Sequence, residues 1–357
     1  MPLDLLAHRT EDLAAAARTW FRESKGAGVA PAVHRAAVRE GIFDPEGLGL
    51  GCFAAERWRE HAHLHLPEIA SEQHEDTPTG PLRKRLLRLQ DGRTIESVHL
   101  PMGRGRTSLC VSTQVGCARA CTFCETGRLG LLRNLTPGEI VAQVTLAHRT
   151  QRPDTIVFMG MGEPLDNEAA LLQALAVLTD RHGLAYAQDH LTVCTVGHVP
   201  GIRALRELGW KRLGLALSLN AATDELRAAL MPHSVRYPLR EIQAALLDYR
   251  QRRNLALGVH WCLLPGINNS KADAKAIADF CAPLGRTFVH VIPYNPGSNP
   301  IAPAPTEAET VAFVGELRAH GLAVRRRITK GRSVMAACGQ LGERGLSAER
   351  RDLGQAD

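Results

Sequence analysis

The chain is predicted to be an α/β protein built on a parallel sheet, and three observations carry that prediction. From about residue 107 onward, six short apolar runs of strand length recur: "SLCVST", "TIVFMG", "LTVCTV", "RLGLALSL", "LALGVHWCLL" and "TFVHVIP". Segments with helical start signals lie between them. Six βα units in succession imply parallel strands joined by crossover helices, either doubly wound or curled into a barrel. With 357 residues, 45% of them hydrophobic, the chain can bury a large core and form two domains.

Taken in order, residues 1 to about 75 read as helical. "EDLAAAARTWFRE" repeats apolar residues at three and four, and "PAVHRAAVREG" opens on a proline and stops at a glycine. "SEQHEDTPTGP", 71–81, is a polar break that reads as a linker. "RKRLLRLQDGRTIESVHLP" follows as two alternating runs joined at Asp91-Gly92, a hairpin signal. Among the βα units, Thr136-Pro137-Gly138-Glu139 combines an N-cap, a proline at the first helical position and a capping-box glutamate. Thr306 to Glu309 has the same Thr-x-x-Glu form.

Composition excludes several classes. No stretch reaches the roughly 18 uninterrupted apolar residues of a membrane span. The N-terminus carries acids early and lacks a basic segment followed by an apolar block, so it is a poor signal peptide. Nine cysteines are too few for a disulfide scaffold of this length, and the number is odd. Reduced thiols in the cytoplasm are the expectation, with clustered ones serving metal or redox chemistry. The net charge of +6 mildly favours a polyanionic partner.

Three cysteines do cluster. Cys117, Cys121 and Cys124 in "CARACTFCETG" follow the first strand of the βα series, in a loop. Loops at the C-terminal ends of parallel strands carry active sites. Thiolates suit zinc or iron–sulfur clusters, and a structural zinc wants four closed ligands. No second Cys-x-x-Cys pair exists, so three ligands leave one metal position open. The alternative is a structural zinc that borrows a distant Cys or His.

C-x3-C-x2-C with an aromatic before the third cysteine resembles the radical SAM signature, in which three thiolates bind a 4Fe–4S cluster and S-adenosylmethionine (SAM) takes the fourth iron. "SLCVSTQVGCARACTFCETG", "VFMGMGEPLDN", "HVIPYNP" and "AACGQL" together resemble the RlmN/Cfr family of adenosine C2/C8 RNA methyltransferases. The resemblance covers roughly 90 to 341 and implies a partial (βα)6 barrel at 101–341. Ahead of it would lie a helical accessory domain at 1–75 and a linker with β-hairpin at 76–100, and behind it a tail at 342–357. It also implies a 4Fe–4S cluster, SAM, ribosomal or transfer RNA as substrate, an electron donor such as flavodoxin or ferredoxin, and a monomer. One SAM would methylate Cys338, and a second would generate the radical that activates this methyl for attack on an adenine carbon. Cys110 would resolve the resulting crosslink through a transient disulfide, and Glu96 would accept a proton. Gly162, Glu163, Cys194, Ser218, Leu219, Asn220 and Asn295 would contact SAM.

The chain departs from the family pattern at several points. Cys194 stands where the family usually has serine, and Asn220 where it commonly has histidine. "KGRSVMAACGQL" is basic where the family tends to be acidic, and the first 75 residues carry little of the usual accessory-domain pattern. Arg83, Lys84, Arg85 and Arg88, and then Arg325, Arg326, Arg327, Lys330 and Arg332, are candidate phosphate contacts or solvated faces. With 4% aromatic residues, recognition by RNA shape with one flipped adenine fits better than a stacking platform. "EHAHLHLPE" at 60–68 reads as a polar edge with incidental histidines rather than a metal site. Two rival functions stay open: a radical SAM enzyme acting on a small molecule or protein, and a non-catalytic iron–sulfur RNA-binding protein.

Overall fold

The computed structural model describes residues 2–21, 26–234, 236–252 and 254–342. The expected tail beyond Gly342 lies outside them. The N-terminal region forms α1 (Thr10–Trp20), α2 (Ala30–Glu40) and α3 (Cys52–His61). A two-residue strand β1 (Leu3–Asp4) pairs in parallel with β2 (Ala62–His63). Helix α2 has proline in its first turn and ends at Gly41, whose left-handed φ of 67° lets its N–H reach the Ala37 carbonyl. Trp58, fully buried, packs edge-to-face on Trp20 and donates its indole N–H to Gly26 O at 2.9 Å.

Next come β3 (Glu68–Thr77), β4 (Gly80–Arg88), β5 (Thr94–Gly103) and β6 (Arg106–Val111), an antiparallel meander. The hairpin expected at Asp91-Gly92 joins β4 to β5. The linker expected at 71–81 is instead strand β3 and the turn into β4. As an edge strand it buries neither face, so it shows no apolar alternation, and its charges discourage pairing with other chains. The division at 75/76 therefore cuts through a strand.

After a short antiparallel pair, β7 (Gln114–Gly116) and β8 (Leu131–Asn134), with α4 (Glu125–Leu129) between them, the βα series runs to the end. It comprises α5 (Pro137–His148), β9 (Thr155–Phe158), α6 (Glu168–Thr179), β10 (Leu191–Thr195), α7 (Val199–Glu207), β11 (Gly214–Ser218), α8 (Asp224–Leu230), α9 (Leu239–Tyr249), β12 (Leu257–Leu263), α10 (Lys271–Cys281), β13 (Thr287–Pro293), α11 (Glu307–Ala319) and β14 (Val324–Arg326). Both expected capping boxes form, Thr136 with Glu139 and Thr306 with Glu309. Ser270 with Asp273 makes a third.

The main sheet has ten strands in the order β14-β13-β12-β11-β10-β9-β6-β5-β4-β3. From β6 to β14 all neighbours are parallel and strand order follows chain order without reversal. A doubly wound sheet reverses at a switch point. This one does not, so the units wind in one direction, and with β14 and β3 as free edges the barrel is partial. To the six expected parallel strands, β14 adds a seventh, too short and too basic to register as an apolar run. Trp261 of β12 stacks on Phe313 of α11, so that parity of β12 faces the helices. His260 and Cys262 therefore face the concave side. No helix among the described residues is long and apolar enough to cross a membrane.

Candidate active site

The cysteine loop springs from the top of β6. Gly116 sits with φ of 77°, and a Cβ there would collide with the Gly130 carbonyl oxygen, so only glycine lets the two limbs of the loop meet. Cys117 N–H donates to that carbonyl at 2.9 Å and Cys124 N–H to Cys121 O at 3.1 Å. Arg119 N–H points at Cys117 Sγ, 3.4 Å away. A cavity of about 620 Å³ opens against the loop, bounded by Cys117, Cys121, Arg128 and His233 among others. Burial pushes all three thiols upward, Cys117 to about 12. As free thiols they hold their protons at neutral pH, and a metal group must displace those protons to bind. Among the described residues no three His, Cys, Asp or Glu side chains gather tightly enough for a single metal ion. A four-iron cube takes each thiolate on a different iron, so its ligands stand further apart than those of one zinc. Three soft thiolates carried on one loop are the kind of donor set an iron–sulfur cluster takes.

The positions expected to hold SAM ring the strand ends beside this loop. Gly162, after β9, has φ of 95° and lies against the Gln114 side chain. Glu163 is 3% exposed; its Oε1 accepts from Leu165 N (3.2 Å) and its Oε2 from Val196 N (2.9 Å). Burial raises this carboxyl to about 7, against the opposing pull of the Val196 N–H. Leu219 is fully buried and offers only its main chain, N–H to His260 O and carbonyl to Arg227. Ser218 is half-buried, and its carbonyl also accepts from Arg227. Asn220 adopts φ of 55°, and its Oδ1 accepts from Cys262 N at 2.9 Å. Its side chain is thus engaged in joining β11 to β12. Asn295 is 3% exposed and donates to Cys338 O at 3.4 Å, while its Oδ1 has no partner among the described residues. Cys194 is buried on β10, pushed up to about 12.

Residues 327–342 form a strap that spans the two edges of the open barrel and carries Cys338. Near one edge Arg327 N–H continues the ladder to Val291 O. At the other, the Glu75 carboxylate of β3 accepts from Gly331 N, Ser333 N and Ser333 Oγ. Lys330 donates to Thr79 Oγ1 and Pro101 O. Lys84 Nζ meets Glu96 Oε1 at 2.7 Å and Met335 O at 3.1 Å, and Gly342 N donates to Glu96 Oε2 at 2.8 Å. The ion pair therefore holds the strap on both sides of Cys338. Glu125 N donates to Gly339 O at 2.8 Å and Thr126 Oγ1 to Leu341 O, stitching the strap to the cysteine loop. Cys338 itself is exposed, and all nine cysteines are unbridged. Burial pushes up Cys110 on β6, Cys194 and Cys262, and a negative charge at Cys338 adds to each rise. These three thiols and Cys338 thus share one electrostatic neighbourhood.

Several sequence expectations change. Glu96, on the strand after the hairpin turn where a glutamate is ordinarily solvated, is 1% exposed because the strap covers it. Four of the nine basic residues proposed for phosphate are already paired with acids. Lys84 pairs with Glu96, Arg85 with Glu72 at 2.5 Å, Arg88 with Glu68, and Arg326 with Glu307. Cross-strand pairing accounts for two of them, since β3 places Glu72 opposite Arg85 and Glu68 opposite Arg88, while Glu96 lies on β5 and Glu307 on α11. Arg83, Arg325 and Arg332 carry no acidic partner among the described residues; Arg325 lies over the Phe288 ring, and Arg332 donates to Tyr294 O. Sequence reading missed Arg227, Cys262 and Glu75. A lone charge or thiol in an unremarkable context gives no periodic signal.

A sequence model of the radical SAM superfamily matches residues 111–278. The dual-specificity RNA methyltransferase RlmN of Syntrophotalea carbinolica is 43% identical over 282 residues, 79% of this chain and 75% of that protein. The probable dual-specificity RNA methyltransferase RlmN 1 of Protochlamydia amoebophila is 37% identical over 361 residues, 96% of this chain and 94% of its own. The crystal structure of a radical SAM methyltransferase from Sphaerobacter thermophilus superposes with a TM-score of 0.85 at 32% identity, covering 95% of this chain and 99% of that one. Coverage of that extent reaches into the N-terminal helices, so their divergence in sequence is not a divergence of architecture.

Proposed function

The chain belongs to the RlmN-type radical SAM RNA methyltransferases, and on that premise we propose that it methylates an adenosine base carbon of ribosomal or transfer RNA, C2 or alternatively C8, through a methylcysteine at Cys338. One observation carries this reading. The hydrogen bond from Glu125 N to Gly339 O joins the residue after Cys124 to the residue after Cys338. The proposed methyl carrier is thereby fastened to the proposed cluster loop.

In this reading Cys117, Cys121 and Cys124 hold the 4Fe–4S cluster. Gly162, Glu163, the Leu219 main chain, Ser218 and Asn295 hold SAM, with Cys194 in the wall and Asn220 fixing the loop behind them. When bound, the cluster and SAM supply one-electron activation of a C–H bond that no acid or base can open. Glu163 takes the SAM ammonium, and the unpartnered Asn295 Oδ1 accepts a further donor. Cys338 carries the methyl and forms the carbon bond to the base. Once the adduct has given up one electron to the cluster, Cys110 as its thiolate takes the proton at that carbon. It then attacks the Cys338 sulfur, forming the disulfide while that proton passes to the departing methylene carbon, which releases the methylated base. Burial pushes this thiol up, so once deprotonated it is a strong base. Glu96, at the end of the strap, is the further proposed proton acceptor. A cytoplasmic monomer with a donor of the flavodoxin or ferredoxin type completes the proposal.

The test is a nucleoside digest of RNA from a strain lacking the gene. Loss of 2-methyladenosine or 8-methyladenosine, restored by the wild-type gene but not by Cys338→Ala, is the expected result. A digest unchanged in both nucleosides transfers the reading to a non-RNA substrate.

A further inference from the structure

Helix α8 lies directly under the cysteine loop. Thr122 donates both its N–H (2.9 Å) and its hydroxyl (3.3 Å) to Leu230 O, and Cys121 packs in one cluster with Ala221, Leu230, Met231 and Tyr294. Three residues before Leu230 stands Arg227, only 1% exposed. Its Nη1 donates to Leu219 O at 2.6 Å and to Ser218 O at 3.3 Å, and its Nη2 to Val196 O. Its Nε has no partner among the described residues, and no carboxylate forms an ion pair with it there. Carbonyl dipoles satisfy the guanidinium's geometry and leave its net charge uncompensated.

A buried cation without a counter-ion is strongly disfavoured unless opposite charge arrives. Burial lowers Arg227 to about 10, which still leaves it charged at neutral pH, and negative charge at Cys121, Asp224 or Glu163 would pull the other way, Cys121 most. Metal binding turns all three cysteines into thiolates and makes this pocket negative. We propose that Arg227 is the built-in counter-charge of the cluster, favouring its reduced form and so raising its reduction potential, while its two Nη groups lock the loops after β10 and β11 into the shape that receives SAM. The inference rests on the cluster reading above and assigns Arg227 as a positioning residue, not a ligand. Net charge and hydrogen bonds around thiolates are established levers on cluster potential.

The charge and the clamp separate experimentally. Anaerobically reconstituted wild-type enzyme, Arg227→Met and Arg227→Lys are titrated potentiometrically with the reduced cluster followed by paramagnetic resonance, and SAM binding is measured on each. Arg227→Met should lower the ratio of reduced to oxidised cluster about tenfold at the wild-type midpoint, a shift of about 59 mV for one electron. Arg227→Lys keeps the charge and loses the fork; it should hold the potential near wild type while binding SAM several-fold more weakly. A wild-type potential in Arg227→Met, or an equal shift in Arg227→Lys, overturns the counter-charge assignment. Should Arg227→Met not fold, Arg227→Gln replaces it with the same expected direction. Wild-type protein that takes up no cluster would instead refute the cluster reading itself.

Discussion

At the residue scale, Glu163 gives the clearest solution signature. Burial lifts its carboxyl to about 7, so in the empty site it is half protonated near neutral pH. A cationic ammonium binds its carboxylate form. SAM affinity should therefore rise as pH climbs through about 7, until the α-amino group itself loses its proton at about pH 8, and Glu163→Gln should weaken binding and flatten that rise. Calorimetric titration across pH 6 to about 8.5 checks this, and a wild-type profile as flat as that of the variant contradicts it. The three loop cysteines were legible because their spacing is a motif in itself. Arg227 was not, since an arginine in "DELR" on a short helix reads as a solvated charge. Lys84 was misread for a related reason: a basic run does not reveal which of its members faces inward.

At the element scale, the strap is the feature that sequence reading reached least. Its motif "AACGQL" drew attention to Cys338, but its anchors come from strands about 250 residues earlier. No local pattern encodes that Glu75 caps Gly331 and Ser333, or that Lys84 and Glu96 bracket Met335 and Gly342. Breaking a buried ion pair costs about 3 to 5 kcal/mol. Lys84→Met is expected to destabilise the fold by about that amount, read from urea unfolding, and to speed hydrogen exchange at the Gly342 amide. An unchanged Gly342 rate would mean that the pair does not hold the strap. Helices were more legible than strands because their boundaries are written locally, as Thr136 with Glu139 illustrates. Edge strand β3 and the three-residue β14 escaped because neither buries a face of its own.

At the scale of the whole molecule, the βα alternation announced the parallel sheet, and the unreversed strand order decides for the partial barrel. The opening between its edges is bridged by the strap, so Cys338, the proposed methyl carrier, is part of that bridge. The basic surface is smaller than the sequence suggested, because acidic neighbours consume Lys84, Arg85, Arg88 and Arg326. Arg83, Arg325 and Arg332 remain for phosphate. Replacing Arg325 or Arg332 by alanine should lower the salt dependence of RNA binding by about one unit of slope each, whereas Arg326→Ala should leave it unchanged. Filter binding over a range of salt concentrations reads these slopes, and equal slopes in all three variants would contradict the assignment.

In the proposed reaction Cys338 delivers its methyl carbon to an adenosine and Cys110 frees the product. Mass spectrometry of Cys110→Ala, purified with its cluster from cells making their own RNA, tests it most directly. The expected product is a covalent adduct in which the Cys338 peptide is joined through one carbon to an adenosine. A cluster-loaded Cys110→Ala protein whose Cys338 peptide carries neither methyl nor nucleoside would contradict it.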